Sequence, residues 1–266
     1  MKSTTMCHKF SLAWSFRNRF KELEKSVLTA HAHCPVAVDF VLVDAGSGSD
    51  VIAKVEGLRG SLGARTFRVC ESAYRTSLSE AWNIGMMLTP ARFVVFSSSD
   101  VVFEDGRWWD AISNALPEHP YTLLGNHAVF GLDKHKMIPG AGWFDEDFGI
   151  GAHFDCDYMI RASEAGIPVH VIKNDNYYVH DEENTSYIER VLDKDEDRLP
   201  IGNYDNERYF MRKWESTWPG WEMFKGTGTD LPHPPTNISI CKRMLYEVDP
   251  HPRWTERIRR HASECR

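Results

Sequence analysis

At 266 residues the chain has room for one large domain, or for a core of about 180 residues with an appendage. Its 42% apolar and 26% charged residues are those of a globular protein that buries a core without crosslinks. A formal net charge of −7 argues against bulk binding to nucleic acid or an acidic membrane. The six cysteines (Cys7, Cys34, Cys70, Cys156, Cys241, Cys265) show no CxxC spacing and no disulfide-like rhythm, which excludes zinc fingers and a stapled secreted scaffold. Arg17, Arg19, Lys21, Glu22, Glu24 and Lys25 interrupt any signal-peptide core near the start, and no stretch approaches the ~18 apolar residues of a membrane helix. A cytoplasmic location is therefore expected, with the sequons at Asn184 and Asn237 idle. The 12% aromatic content, nine Trp among it, serves packing first and leaves room for surfaces that stack sugars or bases.

Strand and helix signals alternate through the first hundred residues. Phe10–Trp14 reads as a strand, and Phe20–Ala30 as a helix with Phe20, Leu23, Val27 and Leu28 on one side. Val36–Val43 is a β-branched run ending at Asp44, with Ala45-Gly46-Ser47-Gly48-Ser49 as its turn. Asp50–Leu58 is a helix, Thr66–Cys70 a strand, and Ser77–Leu88 a second helix closed by Pro90. Ala91–Phe96 supplies the next strand, and Ser98-Ser99-Asp100 stands at its end. Near-continuous apolar strands separated by helices predict an α/β fold with a mainly parallel central sheet covered on both faces. Ligands of such sheets bind beyond the carboxyl ends of the strands, where Asp44 and Asp100 fall.

The middle of the chain is less regular. Tyr121–Leu124 and His127–Phe130 read as short strands, Gly140–Gly151 as a Gly-rich stretch, Asp155–Ala165 as a helix and Val169–Ile172 as a strand. Beyond about residue 185 the composition turns charged and helical, which divides the chain into a domain over 1–184 and a helical C-terminal extension over 185–266 packed on it. Within that extension, 193–198 is a solvated charge run, 203–214 a helix, 231–235 a Pro-rich linker and 252–262 a basic helix.

A dinucleotide-binding site is the first chemistry to weigh, because Gly46-Ser47-Gly48 follows a strand. The fingerprint fails, since Val51 stands where a third Gly must let helix and strand approach, and the motif follows the second strand. No P-loop occurs in the sequence.

The order of the remaining motifs resembles the family 2 glycosyltransferases of the GT-A fold. Ser15-Phe16-Arg17-Asn18-Arg19 occupies the place of a polar motif ending in Asn-Arg, without the usual Pro-Thr-Tyr. Val41-Leu42-Val43-Asp44-Ala45-Gly46-Ser47 resembles the strand ending in Asp-Asp-Gly-Ser, with Ala for the second Asp. Ala81-Trp82-Asn83-Ile84-Gly85 is similar to Ala-Arg-Asn-x-Gly, with Trp for Arg, and Ser98-Ser99-Asp100 falls where the family carries Asp-x-Asp. Gly142-Trp143-Phe144-Asp145-Glu146 resembles the acceptor-side Gly-x-Phe-Asp-Glu. Phe154-Asp155-Cys156-Asp157-Tyr158-Met159-Ile160-Arg161, followed by Glu164-Ala165-Gly166, resembles Glu-Asp-x-Asp-Leu-x-x-Arg…Ala-Gly, with Phe154 for Glu. Tyr178-Val179-His180 matches a late His, and Asn206…Tyr209-Phe210…Lys213-Trp214 a closing segment.

The resemblance implies an inverting, cation-dependent glycosyltransferase, hexosyl or pentosyl, using a nucleotide-diphosphate sugar, UDP-linked by default. Asp155 inherits the role of catalytic base. Asp100 and His180 inherit a divalent cation, Mn2+ or Mg2+, which prefers oxygen ligands and binds phosphates with one or two carboxylates. Arg17, Arg19, Asp44, Asn83, Ser99 and Asp157 inherit the nucleotide-sugar. The acceptor is a glycan, glycolipid precursor, protein or modified DNA. Blander readings stand beside these roles: Asp155 as a helix N-cap, Asp157 as a first-turn carboxylate paired with Arg161 at i+4, His180 as a surface histidine, and Asn83 as a packing polar group. Two other functions stay open. One is a decayed nucleotide-sugar binder, suggested by the missing first Asp and by Phe154. The other is transfer to hydroxymethylated bases of DNA, permitted by Arg253, Arg257, Arg259, Arg260 and His261.

Overall fold

Strands with no polar face must be covered on both sides, and that requirement organises the chain. The computed structural model describes residues 10–62, 66–72, 76–148 and 153–180, together with Asn206, Tyr209, Phe210, Lys213 and Trp214. The first half runs β1 (Phe10–Phe16), α1 (Phe20–His33), β2 (Asp39–Asp44), α2 (Ser49–Gly57), α3 (Arg59–Leu62), β3 (Thr66–Cys70), α4 (Leu78–Leu88) and β4 (Phe93–Ser98). The second half adds β5 (Val101–Phe103), α5 (Arg107–Ala115), β6 (Tyr121–Leu124), β7 (Asn126–Asp133), α6 (Lys134–Ala141), α7 (Phe154–Glu164), β8 (Val169–Ile172) and β9 (Tyr178–His180).

Seven strands form the main sheet in the order β3-β2-β1-β4-β7-β6-β8, and β5 pairs with β9 in a small second sheet. β1 to β4 are mutually parallel, β6 and β8 are parallel to each other, and β7 runs antiparallel between β4 and β6. Side chains alternate between two cores, as strand geometry demands. Phe10, Leu12, Trp14 and Phe16 of β1 join Leu23 and Val27 of α1 on one face, while Ala13, with Val94 and Phe96 of β4, joins Trp82 and Ile84 of α4 on the other. The α/β class, the mainly parallel sheet and the helices on both faces are thus as the sequence pattern implies.

Several elements differ from the expected boundaries. β2 begins at Asp39, so Val36–Val38 stay outside the ladder, and β7 extends the expected His127–Phe130 strand at both ends. Two helices and the small sheet occupy ground that read as irregular. The α5 signal is present in retrospect, since Trp108, Trp109, Ile112 and Leu116 are buried at helical spacing. Gly131 on β7 explains how α5 docks: a Cβ there would meet Leu116 Cδ1 at 2.6 Å. The Gly-rich stretch contains the end of α6, closed by Gly142 at φ 81° in the region glycine favours.

Of the expected 203–214 helix, residues 206, 209, 210 and 213 are helical, and Trp214 N–H donates to Phe210 O at 3.0 Å. Phe210 and Trp214 enter the core beneath α4 and α7. Between them Lys213, its side chain 5% exposed, lies against two fully buried carboxylates, Asp145 and, at 2.7 Å, Asp157. Tyr209 O–H donates to Asp145 at 3.0 Å, and Trp214 Nε1–H to Asp157 at 3.0 Å. The 184/185 boundary, the charge run at 193–198, the linker at 231–235 and the basic helix at 252–262 lie outside the described residues.

Removing one member of a buried ionic cluster leaves the others uncompensated, at about 3–5 kcal/mol. Lys213→Met should therefore cost stability of that order in chemical denaturation, whereas a surface change such as Lys54→Met, at an exposed i,i+4 pair, should cost well under ~1 kcal/mol.

Candidate active site

Strand order reverses at β1. The chain passes from β1 through α1 to β2 on one side, and reaches β4 on the other only after β3 and α4. Loops leaving the carboxyl ends of β1 and β4 therefore part in opposite directions, and the gap between them is where open α/β sheets take ligands. Arg17-Asn18-Arg19 follows β1 and Ser99-Asp100 follows β4. Across the gap Arg19 Nη1 meets Asp100 Oδ2 at 3.1 Å, the two side chains 8% and 9% exposed. Ser99 beside them is half-buried. His180 joins this corner through its backbone, since β5–β9 pairing sets it opposite Val101, the residue after Asp100.

The neighbouring loop is held by backbone bonds to one carboxylate. Asp44, fully buried at the end of β2, accepts from the N–H groups of Gly46 (3.1 Å), Ser47 (2.9 Å) and Ser72 (3.3 Å). Arg17 Nε–H donates to Gly46 O at 3.4 Å, and Asn18, at φ 57°, bonds Ser47 and Gly48. The loops after β1, β2 and β3 form one stitched rim.

Because β7 runs antiparallel, its first residues lie at the same edge of the sheet. Val129 is opposite Ser97, so His127, two residues earlier, stands level with Ser99. His127 Nδ1 lies 3.5 Å from Asp155 Oδ2, with side-chain exposures of 14% and 26%. Asp155 occupies the first turn of α7, where the helix dipole favours a negative charge, and its Oδ1 accepts from Cys156 N–H at 2.9 Å. His153 presents that turn by adopting a left-handed backbone, φ 79°, immediately before the helix. On its far side His127 Nε2 lies 2.5 Å from the Tyr121 hydroxyl. Burial pushes the His127 imidazole below its usual pKa, with Asp155 pulling the other way, and pushes the Cys156 thiol up.

Asn83 and Asp157 bond the protein itself. Asn83 Nδ2–H donates to Phe144 O (2.9 Å) and to Glu146 Oε1 (2.7 Å), and its Oδ1 accepts from Phe144 N–H at 2.9 Å, tying α4 to the 142–146 segment. Asp157 accepts from Arg161 Nε–H at 2.9 Å, the i+4 pair the spacing suggests, besides Lys213 and Trp214. Arg161 Nη1–H also donates to the carbonyls of Ala141 and, at 2.7 Å, Trp143. Trp82, where the family pattern has Arg, is 4% exposed and packs on Phe96, Phe130, Phe144 and Phe154.

The structure thus brings Arg19 to Asp100 and Asp155 to His127 along one edge, and sets Asp44, Asn83 and Asp157 in the frame behind them. Sequence reasoning missed Tyr121 and His127. A lone His near the start of a short strand carries no periodic signal, and only the strand pairing reveals its neighbour.

No protein-family model and no curated protein sequence matches this chain. Solved structures do. PcManGT, a mannosyltransferase from Pyrobaculum calidifontis in complex with GDP-Man and Mn2+, superposes with a TM-score of 0.58 at 12% identity, over 69% of this chain and 60% of that one. S. aureus TarS gives 0.52 at 16% identity over 64% of this chain, and GalNAc-T7 with UDP, GalNAc and Mn2+ gives 0.55 at 10% identity over 65%. The chain spans only 36% of that TarS chain and 45% of GalNAc-T7. Likeness at such low identity speaks for architecture, and the architecture shared with these transferases is the GT-A fold.

Proposed function

We propose that this chain is a glycosyltransferase that moves a hexosyl or pentosyl group from a nucleotide-diphosphate sugar, UDP-linked in the first instance, to an acceptor hydroxyl with inversion. The observation that carries the reading is the meeting of two polar pairs, Arg19 with Asp100 and Asp155 with His127, at one edge of the sheet beside the switch point. Solved transferases of this fold support it: TarS is recorded with UDP and with UDP-GlcNAc, PcManGT with GDP-Man.

Each side chain then has a task. Arg17 and Arg19 face the phosphates, Ser99 the ribose, and Asp44 holds the loop rim that receives the base. Asn83 and Asp157 set the position of the acceptor-side segment. Asp155 takes the proton of the acceptor hydroxyl as its oxygen bonds the anomeric carbon. The bond to the β-phosphate oxygen breaks on the opposite face, and the nucleoside diphosphate leaves with the electron pair. General-base assistance of this kind is worth roughly 10²–10⁴-fold.

A divalent cation is assigned to Asp100 and to His180, whose backbone the β5–β9 pairing sets opposite Val101, the residue after Asp100. Among the described residues no group of three or more His, Cys, Asp or Glu forms a metal cage. Asp100 would offer one carboxylate to Mn2+ or Mg2+, ions that bind phosphates together with one or two carboxylates. Bound there, the cation supplies charge neutralisation on the departing diphosphate. Arg19 engages Asp100 across the gap, and a donor phosphate would compete for that guanidinium. Donor binding without turnover is the second reading, favoured by this lone, already engaged carboxylate.

Asp155→Asn should lower kcat by at least ~100-fold while donor affinity persists; full transfer activity in that variant would remove Asp155 as the base. A UDP-sugar at ~100 times its Kd should stabilise the wild type by about 2.7 kcal/mol when Mn2+ is present. In Asp100→Asn the Mn2+-dependent part of that stabilisation should vanish, and an unchanged increment would put the cation elsewhere. Stabilisation with neither transfer nor donor hydrolysis would favour the second reading.

A further inference from the structure

His127 lies between two polar partners that fix the place of its proton. The Tyr121 phenol is wholly buried, and burial, with Tyr158, Asp155 and Cys156 close by, holds its ionisation far above the ordinary value. It therefore keeps its hydrogen, and because Nδ1 on the other side of the ring faces Asp155 Oδ2, an acceptor, the arrangement that satisfies both contacts has Tyr121 donating to His127 Nε2 at 2.5 Å. A ring nitrogen that accepts carries no hydrogen, and burial keeps the imidazole neutral. Its single hydrogen then sits on Nδ1, the nitrogen 3.5 Å from Asp155 Oδ2. The ring is also held in orientation. It stands edge-on to Tyr121, with centroids 5.9 Å apart at 63°, and to Phe130, at 5.5 Å and 61°.

We infer that His127 is a positioning residue for Asp155: its Nδ1–H, fixed by Tyr121, holds one carboxylate oxygen so that the remaining lone pairs face the acceptor hydroxyl. The inference rests on the reading of Asp155 as the base. Asp155 Oδ1 accepts from Cys156 N–H, and Oδ2 is turned toward His127 Nδ1 at 3.5 Å. A separation of 3.5 Å is long for a hydrogen bond, and catalytic hydrogen bonds commonly tighten only when substrate arrives. Tyr121 opens β6, His127 lies near the start of β7 and Asp155 comes from α7, so three elements converge on one proton acceptor. The triad order phenol, imidazole, carboxylate sends the fixed hydrogen toward the carboxylate and makes no demand for proton transfer through the ring.

Three substitutions and one spectroscopic measurement test this. His127→Phe keeps a ring between Tyr121 and Phe130 but has no N–H. His127→Asn places an amide N–H near the position of Nδ1. Tyr121→Phe removes the donor that fixes the tautomer. Transfer from UDP-sugar should lose roughly 10- to 100-fold in kcat in His127→Phe, with the donor KM within about twofold, and His127→Asn should recover most of the loss. Nitrogen-15 NMR of histidine-labelled protein should find the His127 hydrogen on Nδ1 in the wild type and shared between both nitrogens in Tyr121→Phe. A hydrogen on Nε2 in the wild type overturns the inference, whether or not any variant folds. So does an unchanged kcat in His127→Phe alongside an inactive Asp155→Asn, and in that case the proposed function stands. Full activity in both His127→Phe and Asp155→Asn overturns the reading of the base itself.

Discussion

A reversal of strand order at β1 governs where polar chemistry gathers in this molecule. Parallel strands buried on both faces have no polar surface along their length, so function is confined to the loops at their carboxyl ends. The reversal separates the loops after β1 and β4, and each contributes one charge to the gap, Arg19 and Asp100. The antiparallel β7 adds a third contributor. By running the other way it delivers its opening residues, His127 among them, to the edge that the parallel strands end on. Two oppositely directed neighbours, β4 and β7, thus bring Asp100 and His127 to one rim, where Arg19 after β1 and Asp155 on α7 meet them.

Behind that rim the buried ions act as a frame. Lys213 lies between Asp145 and Asp157, residues on the 142–146 segment and on α7. Asn83 binds the same segment from α4, and Arg161 binds it from α7. A buried cation shared by two carboxylates is costly to assemble and costlier to interrupt, so it specifies geometry more than it adds net stability. Here the geometry specified is that of the helix carrying Asp155 relative to the 142–146 segment, with the described part of the C-terminal region as the clasp.

The frame of the fold was readable because its strands are unbroken apolar runs and its helices carry one apolar face. Asp44 and Asp100 were placed at strand ends from that pattern alone, and the Asp157–Arg161 pair followed from helical spacing. The sequence did not reveal which polar groups point outward and which point in. Asp44, Asn83 and Asp157 read from the motif order as ligand-facing, yet their oxygens and nitrogens engage loop amides, Glu146, Arg161 and Lys213. Helix α5 escaped because its nine residues carry few buried apolar positions and so a short periodic signal. The His127–Asp155 contact joins a strand to a distant helix, a distance along the chain that no local pattern spans.

Two departures from the family pattern, Trp82 for Arg and Phe154 for Glu, meet in space as an edge-to-face pair with centroids 4.9 Å apart. Such a contact is worth about 0.5–1.5 kcal/mol beyond the area it buries, and it carries no charge. The helix that presents Asp155 is therefore seated by ring packing as well as by the buried ions around Asp157, neither of which dissolved salt reaches, whereas salt does screen exposed pairs such as Lys54–Asp50 and Arg59–Glu56. Ionic strength then acts unevenly on the molecule: it loosens ion pairs on the outer helices and leaves the seat of Asp155 where it was.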